Sequence, residues 1–175
     1  DDQRLSMYRE ARQKLLGSGY RQNSMRMFER EDLPASCGPA YCCQTDGMIG
    51  LGVGARSYTT EVHYSTEYAV GRSGVKSIIA DYLSRKASDF ASAQYGDRLP
   101  IDDQRRRFAL QSVLQTDGLD LAAYESRFGT SVFEHLPQLS ELLDAGLAFH
   151  DEQTLALTPA GLERSDAIGP WLYSP

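Results

Sequence analysis

Apolar residues recur at helical spacing in several stretches of the chain, and these stretches predict most of its elements. Leucine and tyrosine positions within residues 3–17 fall roughly on one stripe, and Gly17 and Gly19 follow as a stop signal, which predicts an amphipathic helix. A second helix is predicted from Val75 to about Ala93. The remainder of the chain has apolar residues at three- and four-residue steps almost throughout, which indicates a mainly helical second half.

The second half combines helix signals with one hairpin signal. Helices are predicted from Asp102 or Asp103 to about Thr116, from Leu119 to Phe128, from Thr130 or Ser131 to Gly146, and after Thr158-Pro159, where proline stands at the first position. Residues 147–157 read as a small hairpin between the last two of these helices. Three helices, a hairpin and a helix are typical of a winged-helix domain.

Residues 21–28 read as an extended run in which polar side chains occupy both alternations. A half-buried strand packs one face against apolar residues, so polar residues on both faces of an internal strand indicate a functional site. The alternative is an exposed edge strand.

A second unusual run extends from Met48 to Tyr58 and reads as a short apolar strand with glycine at every second position, at Gly50, Gly52 and Gly54. Such a bare face lets a ligand or another backbone come into contact with the strand. The glycines do not indicate a dinucleotide fingerprint, because β-prone residues follow them where a helix would be needed.

Composition and charge narrow the classes of protein. The 175 residues carry a net charge of −6, with +1 on residues 1–100 and −7 on residues 101–175. The acidic second half argues against a nucleic-acid partner. No uncharged run of the sequence, including the apolar residues 47–55, reaches the about 20 apolar residues that span a bilayer, and no secretory signal is visible. We therefore expect a cytoplasmic protein with no membrane partner. Because the chain starts at Asp1 in the middle of a pattern, we also expect it to be a piece of a longer protein.

The three cysteines, Cys37, Cys42 and Cys43, have a spacing that matches no zinc or iron–sulfur pattern. They are expected to be reduced and to pack as small hydrophobic residues. No Ser-His-Asp order and no cluster of metal ligands is visible, so hydrolysis by a nucleophile or by zinc is unsupported, and no catalytic residue is assigned.

Two motifs at a fixed separation carry a family resemblance. The glycine run continues into Ala55-Arg56-Ser57-Tyr58, and Leu155-Ala156-Leu157-Thr158-Pro159-Ala160-Gly161 follows in the helical half. Together with a helix that ends at Gly19-Tyr20 and a strand that ends at Phe28-Glu29-Arg30, this order resembles the C-terminal half of the radical S-adenosylmethionine enzymes related to oxygen-independent coproporphyrinogen III oxidase.

The resemblance implies an α/β fold. Residues 1–98 would contain the terminal strand/helix units of an incomplete (β/α) barrel and a linker helix, and residues 99–175 a mainly helical, winged-helix-like domain. The implied cofactors are S-adenosylmethionine and a [4Fe–4S] cluster, which in the family generate a 5′-deoxyadenosyl radical that abstracts a hydrogen atom from the substrate. The Cys-x3-Cys-x2-Cys cluster motif is absent from this sequence. We therefore expect an enzyme in the full-length protein, an inactive fragment here, and self-association through strand edges.

The resemblance also implies which residues line the site. The cofactor-binding candidates are Phe28, Gly50, Gly52, Gly54, Ala55, Arg56 and Ser57. The candidates for the small-molecule substrate are Arg26, Arg56, Tyr58 and His63. Each arginine has an alternative role on the surface or in a structural ion pair. Residues 23–28 have lost an acidic residue and gained a basic one relative to porphyrin-type relatives, so the substrate is either tetrapyrrole-like or of another class.

Two other functions stay open at this point. One is a carrier that binds haem or another tetrapyrrole on the same scaffold. The other is a winged-helix regulator that binds DNA through the helix containing Arg105, Arg106 and Arg107, although the net charge of its surroundings opposes contact with phosphates.

Overall fold

The computed structural model describes residues 2–33, 42, 44–68 and 71–173. It has a mixed α/β fold built from small sheets and helices. Its contacts divide the chain into two compact units, of which unit 1 comprises Asp1–Ala40 with Arg105–Pro175 and unit 2 comprises Tyr41–Gln104. The boundary predicted between residues 98 and 99 stays a prediction.

Unit 1 begins with the predicted helix, α1 (Asp2–Gly17), followed by the antiparallel strands β1 (Tyr20–Gln22) and β2 (Phe28–Arg30). The single extended run predicted for residues 21–28 is wrong, because the chain reverses direction between the two strands. The backbone N–H groups of Asn23 and Ser24 both donate to the carbonyl of Met27. The Ser24 hydroxyl accepts a hydrogen bond from the Met27 N–H, so the polar residues close a turn.

Unit 2 contains an antiparallel sheet in the order β3-β4-β5 and one longer helix. Its elements are β3 (Arg56–Tyr58), β4 (Val62–Ser65), α2 (Arg72–Ser84), a 3-10 turn (Ala87–Phe90) and β5 (Tyr95–Arg98). The predicted second helix therefore ends at Ser84, well before Ala93. The cause is local, because the Lys86 backbone N–H donates to the Asp89 carboxylate and starts the separate 3-10 turn.

The strand predicted for residues 48–58 is also wrong over most of its length, because only its last three residues are in β3. Gly52 and Gly54 have φ of 108° and 69°, in the left-handed region that favours glycine. The alternating glycines therefore allow a turn rather than a bare strand face.

The elements that follow residue 100 form the C-terminal part of the chain, and all of them lie in unit 1 except the start of the first helix, since residues up to Gln104 belong to unit 2. They are α3 (Ile101–Val113), β6 (Leu119–Asp120), α4 (Leu121–Phe128), α5 (Val132–His135), α6 (Leu139–Asp144), β7 (Ala148–His150), β8 (Thr154–Leu157), α7 (Pro159–Leu162) and α8 (Ser165–Tyr173). The predicted hairpin and the helix after Thr158 are confirmed, and the Thr158 hydroxyl accepts from the Gly161 N–H as a helix cap. The helix predicted up to Gly146 is two short helices, because Pro137 interrupts it.

The core of this part is a continuous apolar cluster between its helices and the sheet β6-β8-β7. Its largest side chains with almost no exposure are Tyr124, Leu119, Leu136, Leu139, Leu155 and Leu172. The rings of Phe108 and Phe128 pack edge-on at 5.6 Å beside Tyr124. The cluster joins residues of α3 and of the hairpin β7–β8 in one core.

Strand pairing does not reproduce the predicted barrel units. All strand pairs among the described residues are antiparallel, whereas the strands of a (β/α) barrel pair in parallel. Within the described ranges no helix has the length and apolar character needed to cross a membrane.

Candidate functional site

The stretch from Met48 to Tyr58, the glycine loop, is closed at its ends by backbone hydrogen bonds. The Met48 N–H donates to the Tyr58 carbonyl at 2.8 Å, and the Tyr58 N–H donates to the Met48 carbonyl at 2.9 Å. Within this bridge Gly52 and Gly54 turn the chain, and the Ala55 N–H donates to the Gly52 carbonyl. The loop is therefore a closed structure with its own hydrogen bonds.

Two hydroxyl groups hold the glycine loop from inside unit 2. Ser57 is almost fully buried, and its Oγ accepts a hydrogen bond of 2.9 Å from the Gly50 N–H. Thr66 Oγ1 accepts from the Gly54 N–H at 2.8 Å and donates to the Gly52 carbonyl at 3.2 Å. The sequence indicates Ser57 as a candidate but not Thr66, which lies in a polar stretch without any distinguishing pattern.

Gly50 shows the close backbone approach that the sequence predicts, and the partner is the chain itself. A Cβ at Gly50 would lie 2.4 Å from the carbonyl oxygen of Arg56 and 3.0 Å from the Ala55 Cβ. Any side chain at this position would push the returning strand away. Gly50 is thus required by the geometry of the loop, whether or not a ligand binds beside it.

A cavity of about 480 Å³ opens beside the glycine loop, within unit 2. Gly50, Gly52, Ala55 and Ser57 line one side of it. The other side includes the edge-to-face ring pair Tyr82–Phe90, with centroids 5.2 Å apart, together with Ser65, Thr66, Arg85 and residues 91–94. Cavities that bind small molecules commonly have about 300–1,000 Å³ and a mostly apolar lining with a few polar groups. This space, the glycine-loop cavity, fits that description.

The positive charge at the glycine-loop cavity is compensated within the protein. The Arg85 guanidinium donates to the Asp81 carboxylate through Nε at 2.9 Å and Nη2 at 2.5 Å, and to Gln94 Oε1 at 2.7 Å. The Arg85 side chain is only 12% exposed, so these hydrogen bonds hold its planar group in place. The cavity consequently offers aromatic and hydroxyl groups rather than an open cation.

The sheet of unit 2 places Ser57 on one face and Arg56, Tyr58 and His63 on the other, so Arg56, a candidate for both cofactor and substrate, is on the face opposite Ser57. Side chains alternate between the two faces of a strand, so Ser57 and Arg56 point to opposite faces. Arg56 and His63 line a shallower hollow of about 260 Å³, together with Ser65, Tyr68, Tyr95 and Asp97. Tyr58 pairs directly with His63 across the sheet. Gly54 lines a third hollow of about 210 Å³ with Val53, Tyr68, Val75 and Ile78.

The remaining two candidates lie in unit 1. Nη2 of Arg26 lies 2.6 and 2.7 Å from the two carboxylate oxygens of Asp166, so Arg26 forms the structural ion pair that was its alternative role. Phe28 is half-buried in β2, where it pairs with Gln22. The roles of all the candidates in binding stay predictions.

The cysteines and the arginines at 105–107 are the other groups that the sequence raised for metal or nucleic-acid chemistry. Cys37 and Cys43 lie outside the described residues. The prediction that the cysteines pack in apolar surroundings is wrong for Cys42, which is exposed and whose Sγ lies 3.0 Å from Gln44 Oε1. No three His, Cys, Asp or Glu side chains within the described ranges are grouped so as to hold a metal ion. The arginines at 105–107 are half-buried, and Arg106 donates to the Leu172 carbonyl at 3.0 Å.

Comparison with known proteins gives a family match for the C-terminal part of the chain. Residues 99–163 match the family model of the HemN C-terminal domain. Over 98% of its length the chain is structurally similar to the coproporphyrinogen III oxidase HemN of Escherichia coli, a radical SAM enzyme, with a TM-score of 0.67 and 20% identity. The chain spans 41% of the length of that structure. Comparison with curated proteins gives no match.

These findings confirm the resemblance drawn from the two motifs. Residues 99–163 match the HemN C-terminal domain model by sequence, and the chain as a whole is similar in fold to part of HemN. The matched range includes the Leu155–Gly161 motif. Residues 48–58 lie outside that range, so the resemblance there is supported only by the structural similarity to HemN.

Proposed function

We propose that this chain is part of a radical SAM enzyme of the oxygen-independent coproporphyrinogen III oxidase-like family. The observation that carries the proposal is the match of residues 99–163 to the HemN C-terminal domain, supported by the fold shared with HemN. Since the chain spans 41% of HemN, the activity belongs to a longer protein. In this proposal the [4Fe–4S] ligands lie outside the chain, and the chain alone is inactive.

The glycine-loop cavity is the proposed site of S-adenosylmethionine. Its volume of about 480 Å³, the ring pair Tyr82–Phe90 and the hydroxyls of Ser65 and Thr66 suit a nucleoside, which needs a flat apolar surface and a few hydrogen-bonding groups. S-adenosylmethionine supplies the radical chemistry of the class when it is bound beside a reduced cluster. The part played by this chain is to form the wall of the site, with Gly50, Gly52 and Ala55 presenting backbone or small side chains rather than bulky ones.

Two further parts of the proposal concern architecture. Residues 1–98, whose described strands pair antiparallel with one another, are proposed to form the terminal part of the barrel in the longer protein and to include the linker helix. Residues 99–175 are proposed to form the winged-helix-like domain, which the order α3, β6, α4, α5–α6 and the hairpin β7–β8 supports. This domain is proposed to bind no nucleic acid, because its arginines at 105–107 are half-buried. The protein is proposed to be cytoplasmic and to act on a small molecule that need not be coproporphyrinogen.

The cofactor site can be tested on this chain by calorimetry with S-adenosylhomocysteine as the probe. Ala93 lines the glycine-loop cavity, so Ala93→Trp fills it, and we expect at least about a tenfold loss of affinity. Ala80→Trp adds the same side chain at an exposed position of α2 and serves as the matched control. Equal affinities for the two variants, or no binding by the parent chain, would remove the cavity from the proposal.

The enzyme class is tested separately in the longer protein. We expect its sequence to contain Cys-x3-Cys-x2-Cys upstream of residue 1, and the reconstituted, reduced protein to convert S-adenosylmethionine to 5′-deoxyadenosine. A longer protein without those cysteines, or one that binds iron and cleaves no cofactor, contradicts the proposed class.

A further inference from the structure

The exposed face of the unit 2 sheet carries a regular grid of six side chains. The register pairs Arg56 with Ser65 and Ser65 with Tyr95, and it pairs Tyr58 with His63 and His63 with Asp97. Because alternate residues of a strand share a face, these six positions form two parallel rows of three. Arg56 and Asp97 stand at opposite corners of the grid, and the two tyrosines stand at the other corners.

The two charged corners are both available for a ligand. Arg56 and Asp97 are exposed, and neither has an ion-pair partner among the residues that the structure describes. The strands lie about 4.8 Å apart and residues rise about 3.3 Å along a strand, so the two Cα atoms are roughly 12 Å apart. The long Arg56 side chain spans part of that distance. A carboxylate and an ammonium group joined by a short chain therefore match both corners.

Aromatic groups and a hollow lie between the charges. Arg56, Tyr68, Tyr95 and Asp97 all line the hollow of about 260 Å³, and Tyr95 and Tyr68 are half or more exposed. A tyrosine ring beside Asp97 attracts an ammonium group through its face, in addition to the charge of the carboxylate. Arg56 can form two parallel hydrogen bonds to a carboxylate. A purely anionic ligand would leave Asp97 unpaired, and a purely cationic ligand would leave Arg56 unpaired.

We propose that this face binds a small zwitterion, with its carboxylate at Arg56 and its ammonium group at Asp97. The inference deepens the proposed function, on which its role as a substrate site rests, because it names the ligand class of the face that carries Arg56, Tyr58 and His63. The binding itself does not depend on the proposed function. Ser65 lines both this hollow and the glycine-loop cavity, but Ala93 lines only the cavity, and Arg56 and Asp97 line only the hollow. Variants at these three residues therefore test the two sites independently.

The test measures binding of 6-aminohexanoate to the 175-residue chain by ligand-observed NMR, without S-adenosylmethionine or any analogue present. Hexanoate and hexylamine, which each carry one of the two charges, are the comparison probes. We expect 6-aminohexanoate to bind about fivefold or more tightly than either probe, because only it satisfies both corners. Equal binding of hexanoate, or no binding of 6-aminohexanoate, overturns the proposal.

Substitutions at Arg56 and Asp97 test which charged group of the ligand each residue binds. Arg56→Gln and Asp97→Asn should each weaken 6-aminohexanoate about fivefold, whereas Arg98→Gln, on the opposite face of the same strand, should leave it unchanged. Because Arg56 and Asp97 are exposed, unchanged circular dichroism is expected for both variants. The double variant Arg56→Asp/Asp97→Arg exchanges the positions of the positive and the negative charge. It should restore binding of 6-aminohexanoate to within about twofold of the parent chain, because the ligand can bind in the reverse orientation. Failure of this restoration, or an equal effect of Arg98→Gln, contradicts the assignment.

Failure here is distinguishable from failure of the proposed function. If 6-aminohexanoate does not bind while Ala93→Trp still abolishes binding of S-adenosylhomocysteine, the zwitterion site is wrong and the cofactor site stands. The converse result removes the cofactor cavity and leaves this site in place.

Discussion

The guanidinium of Arg9 holds the buried carboxylate of Glu163 through two hydrogen bonds, Nε to Oε2 at 2.7 Å and Nη2 to Oε1 at 2.5 Å. Glu163 directly follows α7, and its side chain is only 6% exposed, whereas Arg9 lies on α1 and is half-exposed. Arg164 donates to the same carboxylate at 2.6 Å. Within unit 1 this pair joins the first helix of the chain to the end of the Leu155–Gly161 motif.

We expect Glu163→Gln to lower the free energy of unfolding by about 2 kcal/mol, because the buried site loses its charge-assisted hydrogen bonds while the arginines remain. Glu10→Gln is the control, since Glu10 pairs with Lys14 at 3.7 Å on the exposed side of α1 and should change stability by less than about 0.5 kcal/mol. Urea denaturation followed by circular dichroism measures both. Equal losses for the two variants would show that burial of the Glu163 carboxylate does not matter.

The same pair predicts a dependence of stability on pH. Hydrogen bonding from Arg9 lowers the pKa of Glu163 below the ordinary glutamate value, and the charges of Arg9 and Arg164 act in the same direction. A carboxyl group with a lowered pKa in the folded state contributes stability above its unfolded pKa and loses that contribution as pH falls through the folded pKa. The difference in unfolding free energy between the parent chain and Glu163→Gln should therefore shrink as pH is lowered below the ordinary glutamate range. A difference that stays constant or grows toward acid contradicts the assignment.

Gly161, which closes the Leu155–Gly161 motif, leaves no room for a side chain. A Cβ at this position would lie 1.9 Å from the Leu147 carbonyl oxygen, and that oxygen is already fixed by a hydrogen bond from the Thr158 N–H. We expect Gly161→Ala to destabilise the chain by about 3 kcal/mol, because the hairpin and α7 must move apart. Thermal unfolding measures the loss.

Gly129→Ala provides the comparison for Gly161→Ala. Gly129 has a φ of 75°, but a Cβ added there would have no other atom within 4 Å. The substitution therefore brings conformational strain without a collision and should cost only about 1 kcal/mol. A smaller loss for Gly161→Ala than for Gly129→Ala would mean that the motif glycine is not required by packing.

The sequence predicts the second half of the fold well because its signals are local. Leu136, Leu139 and Leu142 repeat at helical steps and all lie in the core, and Thr158 caps the helix that Pro159 begins. The structure differs from the prediction at Pro137, where one predicted helix is divided into two. Proline has no backbone N–H to continue the helical hydrogen bonding.

The first half is less predictable because its turns depend on backbone conformation and distant partners. Alternating glycines have the same spacing in a strand and in the glycine loop, and only the positive φ of Gly52 and Gly54 separates the two. The cross-strand pairing of Arg56 with Ser65 and of His63 with Asp97 follows from strand register, which no local pattern determines. The Arg9–Glu163 pair joins residues 154 positions apart, so no short motif could indicate it.

Exposed apolar residues on the glycine loop predict self-association of this chain. Ile49 and Leu51 are 75% and 90% exposed, which is costly for large aliphatic side chains that lie close together. We expect light scattering to show concentration-dependent oligomers, and the double variant Ile49→Ser/Leu51→Ser to be shifted toward the monomer. Met7→Ser changes an exposed residue of α1, outside the glycine loop, and should have no such effect. A parent chain that is monomeric at all concentrations contradicts this prediction.

The hydroxyls of Ser57 and Thr66, which bind the glycine loop, should protect different backbone amides from hydrogen exchange. The Gly50 N–H donates to Ser57 Oγ, and the Gly54 N–H donates to Thr66 Oγ1. Ser57→Ala should therefore speed exchange at Gly50 about tenfold with little change at Gly54, and Thr66→Val should do the reverse, because each removes one acceptor while nearly preserving shape. Amide exchange followed by NMR measures both sites in each variant, so each variant is the control for the other. Equal acceleration of both amides in either variant would instead show that the loop opens as one unit, in which case a ligand in the glycine-loop cavity should slow exchange at Gly50 and Gly54 together.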